Sequence, residues 1–163
     1  MIQLENILTL EEAKQYIAEN FIIGANCPCC TQMVRQYSYK LYDSSAAALI
    51  RLYNLTLFKG EGEFHVKDYA EATEHYTRAS HFAELRWWGL IEKMENPSKK
   101  APSAGYWYIT EKGKQFVRNE IKVKESIKMF NNEFHGFEGN EISISEALGT
   151  KFDYTQIFQQ RNF

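Results

Sequence analysis

Apolar residues at Leu10, Ala13, Ile17 and Phe21 recur every three or four positions, which places them on one face of a helix. The segment Thr9-Leu10-Glu11-Glu12 has capping-box spacing, so a helix is predicted over 10–20. Phe21 to Gly24 reads as a short extended piece leading into Cys27-Pro28-Cys29-Cys30. Val34, Tyr37, Tyr39 and Leu41 favour a strand between Met33 and Leu41. Helical spacing returns at Ala46, Leu49, Ile50, Tyr53 and Leu57; Asp43, Ser44 and Ser45 offer N-cap oxygens, and Lys59-Gly60-Glu61-Gly62 ends the run.

Phe64-His65-Val66 is then a short bridge, Lys67 to Thr73 a short helix and Glu74-His75-Tyr76 a turn. Thr77 can cap a helix to about Trp88, with Ala79, Phe82, Ala83 and Arg86 along one face and Leu85 beside it. Trp87 and Trp88 would point about 100° apart on such a helix, so only one can enter the core. The period changes at Leu90–Met94 and Tyr106–Ile109, two strand-like runs separated by a basic loop that holds Pro97, Lys99, Lys100 and Pro102. Thr110 caps a short helix carrying Phe116 and Val117. Ile121, Val123, Ile127 and Met129 alternate with Lys122, Lys124, Ser126 and Lys128 as a half-buried strand should. Asn131-Asn132-Glu133 reads as a turn, Phe134 to Phe137 as the return strand and Glu138-Gly139-Asn140 as another turn. Ser143-Ile144-Ser145-Glu146 repeats the capping box, and Asp153 can cap a last turn with Tyr154, Ile157 and Phe158.

Composition narrows the class without naming a target. The 163 residues are 44% hydrophobic and 25% charged, with nine Gly and three Pro, which describes a folded globular chain. Its apolar stretches are far below membrane length, and the first 25 residues carry acids in place of a basic signal-peptide region, so no membrane partner is expected. Three cysteines crowded at 27–30 cannot join distant segments, which fits a reducing, cytoplasmic setting. The net charge of −2 conceals segregation: residues 1–77 hold 6 basic and 10 acidic side chains, 78–128 hold 11 and 6, and 129–163 hold 2 and 5. A local basic segment is what an anionic partner would meet.

Helix, short helix, turn, helix and β-hairpin is the order of a winged helix-turn-helix. Leu85-Arg86-Trp87-Trp88-Gly89-Leu90-Ile91-Glu92 resembles the recognition-helix exit of that superfamily, and Gly105-Tyr106-Trp107-Tyr108-Ile109-Thr110-Glu111-Lys112-Gly113 resembles its second wing strand followed by a Thr-x-x-Gly helix start. Both patterns are similar to those of bacterial regulators of the MarR and PadR kind. The resemblance covers roughly 43–118 and implies a winged-helix core there; with the elements read on either side, the chain is expected to be α+β, with an N-terminal helix and a Cys-Pro-x-Cys segment (1–42) before that core and a β-rich C-terminal extension (119–163) after it. The resemblance further implies a DNA-binding transcriptional regulator acting as a homodimer, with Thr77, Arg78, Ser80, His81 and Glu84 as the outward positions of the recognition helix. Arg78 would contact base or phosphate, and Lys93, Lys99 and Lys100 of the wing would reach the backbone. Glu84 and the acidic flanks suit the alternative, a docking module for a protein partner, and the whole arrangement also resembles proteins of bacteria and their phages.

The cysteine turn stays open between three readings. Cys27 and Cys30 have the gap of a zinc knuckle, with Pro28 favouring a tight turn, but a four-coordinate zinc needs further ligands from Cys29, from His65, His75, His81 or His135, or from a second subunit. Cys-Pro-x-Cys also resembles a glutaredoxin active site, and the third reading is small apolar side chains at a turn. No phosphate-binding glycine loop, His-Glu-x-x-His or Gly-x-Ser-x-Gly is present, so catalysis is not expected.

Overall fold

The computed structural model describes residues 8–70, 79–94 and 105–159. The chain is α+β and divides into two compact units: 1–39 with 127–138, and 40–126 with 139–163.

In the first unit, helix α1 (Leu10–Asn20) begins as the capping box requires: the Glu12 N–H donates to Thr9 Oγ1 at 3.3 Å and the Thr9 N–H to Glu12 Oε2 at 2.7 Å. The reading of Phe21–Gly24 as extended is corrected. Phe21 stays helical, donating its N–H to the Ile17 carbonyl at 2.9 Å, and the chain turns through residue 23 to Gly24. With φ of +99° Gly24 redirects the backbone into strand β1 (Ala25–Asn26), a conformation that a side chain would strain. β1 pairs antiparallel with β2 (Met33–Val34), Ala25 opposite Val34 and Asn26 opposite Met33. The expected single strand over 33–41 is thus two, β2 and β3 (Tyr37–Lys40).

Strands β7 (Val123–Phe130) and β8 (Glu133–Ile142) complete the sheet order β3-β7-β8. Asn131 and Asn132 join β7 to β8 at φ of 50° and 61°, the left-handed pair that a two-residue hairpin turn demands. At the tip of this hairpin the Phe130 ring stacks on Phe21 at 4.2 Å. The turn expected at 138–140 is absent; β8 runs through it, because the Asn140 N–H is held by Glu125 Oε1 at 3.0 Å.

The second unit is organised around α2 (Asp43–Lys59), which is buried on nearly every side from Ser44 to Thr56. A helix apolar all round must lie inside its domain. Its N-cap is Tyr42, whose side chain makes no capping bond, so the expected cap from Asp43, Ser44 or Ser45 is corrected: Asp43 Oδ1 accepts from the next residue's N–H at 2.7 Å. Around α2 run β4 (Phe64–His65), α3 (Lys67–Ala70), α4 (Ala79–Ala83) continued by a 3₁₀ turn (Glu84–Trp88), β5 (Ile91–Glu92), β6 (Tyr106–Ile109), α5 (Glu111–Val117), α6 (Ile144–Leu148) and α7 (Tyr154–Gln159). Both neighbours of β6 are antiparallel to it, in the sheet order β4-β6-β5, with Phe64 opposite Trp107 and Ile91 opposite Ile109. Leu49, Ile50, Leu52, Phe82, Leu85, Leu90, Ile91, Ile109 and Phe116 form the core. Each such aliphatic side chain stabilises the fold by roughly 1.5–3 kcal/mol relative to exposure. The C-terminal turn is fastened from within, since buried Asn54 donates its amide to the carbonyls of Ile157 and Phe158 at 3.1 and 3.2 Å. No helix of the described residues is long and apolar enough to cross a membrane.

Candidate nucleic-acid interface and cysteine turn

Phe82, Leu85 and Trp88 are buried at a spacing of three, and this spacing explains why the rod tightens after Ala83. In a 3₁₀ helix residues three apart eclipse, so Leu85 and Trp88 enter the core along one line. Trp88 is the inward tryptophan, and its indole N–H donates to the Lys124 carbonyl at 2.7 Å. Trp87 is half-buried beneath the guanidinium of Arg86, 4.7 Å from its ring centroid.

The rod ends in a joint built from the two motifs that sequence singled out. Gly89 adopts φ of +71° and donates its N–H to the Arg86 carbonyl at 2.9 Å, closing the helix in the left-handed way glycine permits. Its own carbonyl accepts from Thr110 Oγ1 at 2.6 Å, while the Trp88 carbonyl accepts from Lys112 Nζ at 2.8 Å. Thr110 Oγ1 also caps α5 by accepting from the Gly113 N–H at 3.0 Å. Gly113 lies so close to strand β5 that a Cβ there would overlap the Leu90 carbonyl oxygen and stand 2.7 Å from Ile109 Cγ1.

Of the residues expected to face DNA, Thr77, Arg78, Lys99 and Lys100 lie outside the described residues, and Ser80 is placed in α4 without a described side chain. His81 and Glu84 require correction. They do not project outward: both are half-buried, His81 Nδ1 stands 3.4 Å from Glu84 Oε1, and the Tyr42 ring packs 4.8 Å from the imidazole. Burial pushes the Glu84 carboxyl above its ordinary range, against the opposing pull of His81 and Arg86. Lys93 is exposed as a residue, yet its ammonium lies 4.3 Å from the Trp107 ring centroid and donates to the Tyr106 carbonyl at 3.3 Å.

Sequence could not reveal how the basic segment is engaged. Lys112 caps the rod, Lys114 pairs with Glu61, Arg118 bonds Glu120 at 2.8 Å and Glu111 at 3.3 Å, and Lys122 lies 3.7 Å from Glu146. Hydrogen bonds to Glu120 and Tyr53, with a smaller share from Glu111, hold the Arg118 guanidinium even more firmly protonated than usual. Arg86 remains exposed, stacked on Trp87. Nothing in local spacing links Tyr42 to the rod, since its contact His81 lies 39 positions further along the chain.

In the first unit, Cys27-Pro28-Cys29-Cys30 forms the loop of the β1–β2 hairpin. The Cys27 N–H donates to the Gln32 carbonyl and the Thr31 N–H to the Cys27 carbonyl, each at 2.8 Å, with Thr31 at φ of +64°. Backbone N–H groups of Cys29 and Cys30 donate to Cys27 Sγ, which also meets the thiols of Cys30 and Cys29, and these bonds draw the Cys27 thiol below its ordinary value. All three thiols are free; Cys29 and Cys30 are exposed and Cys27 half-buried. No helix starts at this turn, unlike a glutaredoxin site, where the reactive thiol opens a helix. Among the described residues no three or more His, Cys, Asp or Glu side chains gather as a metal site. Protein-family models, curated proteins and solved structures contain no match to the chain.

Proposed function

We propose that residues 43–118 form a winged-helix module that binds double-stranded DNA as a non-catalytic regulator. The observation that carries this reading is the order α2, β4, α3, α4, β5, β6 with the sheet arranged β4-β6-β5. That order sets the helical rod immediately before a β-hairpin and joins the two through Gly89. Fold alone does not specify a ligand, so the DNA assignment rests on exposed Arg86 and on Arg78, Lys99 and Lys100, which lie outside the described residues. Lys93, Lys112, Lys114 and Arg118 already have partners within the chain.

Retention on random duplex DNA across a salt series tests it. The wild-type chain should be retained at about 50 mM salt, and Lys99→Ala/Lys100→Ala should weaken binding equally on all sequences, lowering the salt slope by about 0.9 per lost phosphate contact. Absence of retention at about 50 mM salt, or a double variant indistinguishable from wild type, refutes the assignment. The second reading, a protein-docking module, is favoured by the His81–Glu84 pair, which turns inward the polar groups a groove reader would present.

A further inference from the structure

The three thiols at 27–30 have no role in the proposed DNA contact, and their exposure argues against mere packing. Free cysteine is among the most buried residue types when it serves as a small apolar side chain. Here the hairpin presents Cys29 and Cys30 to solvent and leaves Cys27 half-covered.

The hairpin also fixes how the thiols are presented. Pairing of Ala25 with Val34 and Asn26 with Met33 brings the loop ends together, and the two 2.8 Å bonds between Cys27 and residues 31 and 32 close the loop into a knuckle. Inside it, the backbone N–H groups of Cys29 and Cys30 donate to Cys27 Sγ, and the Cys30 thiol, more than that of Cys29, interacts with the same sulfur. Hydrogen bonds to sulfur orient a thiolate and tune its binding of metal, as partners beyond the ligands do in metal sites generally. Cys29 belongs to no three-residue metal cluster with these two. One knuckle therefore supplies two soft ligands, and a tetrahedral zinc needs four.

The surroundings indicate where the other two come from. Residues 21–34 contain no charged side chain in a protein that is 25% charged. Ile22, Ile23 and Met33, which flank the knuckle along the chain, are exposed to 69%, 90% and 58%. These apolar side chains lose exposed area when the knuckle meets a copy of itself, with Lys14 and Arg35 beside Met33 left at the edge of the contact.

We infer that Cys27 and Cys30 are half of a zinc–thiolate site and that the same pair from a second copy of this chain completes it, so that one zinc ion bridges two chains. Binding converts four thiols and one Zn²⁺ into a tetrathiolate with release of the thiol protons, without oxidation or reduction. The inference is independent of the DNA reading, and neither test decides the other.

The reduced, metal-free full-length chain is titrated with Co²⁺ as a spectroscopic stand-in and then with Zn²⁺, while light scattering follows its mass. The expected result is a tetrahedral cobalt–thiolate spectrum saturating at half an equivalent of metal per chain, with a doubling of mass that a chelator reverses. Cys27→Ser and Cys30→Ser should abolish the spectrum, and Cys29→Ser should retain it. One metal per monomeric chain, no tetrahedral cobalt spectrum with the wild-type chain, or equal loss in Cys29→Ser would each overturn it. The wild-type titration stands even if a variant misfolds.

Discussion

Gly113→Ala tests whether the joint between rod, hairpin and α5 holds the second unit together. A new Cβ would stand 2.7 Å from Ile109 Cγ1 and 3.1 Å from the Leu90 carbonyl carbon, and would overlap the Leu90 oxygen. Ordinary contact begins near 3.4 Å, so α5 must retreat by at least 0.7 Å from Ile109 alone. Retreat stretches the Thr110 N–H to Leu90 O bond, now 3.1 Å, and the Thr110 Oγ1 to Gly89 O bond, now 2.6 Å. Overpacking of this kind costs about 1–3 kcal/mol and each weakened hydrogen bond about 1 kcal/mol. Alanine's better helix propensity returns about 1 kcal/mol. The net loss is about 2–4 kcal/mol, a fall of roughly 4–16 °C in Tm for a chain of this size. Thermal and urea unfolding measure it, with Gly62→Ala as the control, because a Cβ at Gly62 meets nothing within 4 Å. The control should stay within about 0.5 kcal/mol of wild type. If the two variants unfold together, the close approach of α5 to Leu90 is not what fixes the joint.

Glu84→Gln should stabilise the chain at neutral pH: burial raises the folded carboxyl's pKa, so wild-type stability falls as pH rises from the ordinary carboxylate range through the folded value, and urea midpoints against pH should show this slope vanish in the variant. Ser143→Ala should cost about 1 kcal/mol as a lost cap. It should also shrink the acid limb, because Ser143 and Lys122 hold Glu146 below its usual pKa, a contribution present above the ordinary carboxylate range and lost as pH falls through the depressed value. Asn54→Ala should cost about 1–3 kcal/mol, since it leaves the Ile157 and Phe158 carbonyls without their buried donor, and should speed amide exchange within Tyr154–Gln159. Unchanged exchange there would remove Asn54 as the clamp.

Where local chemistry decides structure, the sequence was legible. Both capping boxes form as their spacing implies, at Thr9 and Ser143, because the partners lie within one turn of each other. Asn131-Asn132 turns as read because asparagine tolerates the left-handed region twice in succession. Misreadings fall where distant residues intervene. The turn expected at 138–140 gave way to a strand whose Asn140 N–H is held by Glu125, 15 residues back on the neighbouring strand. A window of a few residues carries no record of what the chain folds against elsewhere.

The candidate interface shows the same boundary in its charges. A count of lysines and arginines treats each as available, yet an ammonium placed on Trp107 or against the Trp88 carbonyl already has the partner it would need to leave for a phosphate. Local spacing shows neither arrangement, since Lys112 reaches back across 24 residues and Lys93 meets a ring on the opposite strand. The resemblance set His81 and Glu84 outward, whereas in the fold the two stand 3.4 Å apart and the Tyr42 ring packs on the imidazole, contacts that no motif records. A basic stretch therefore argues for a polyanion only through those cations the fold leaves exposed, which in the described part of this segment are Arg86, Lys93, Lys112 and Lys122.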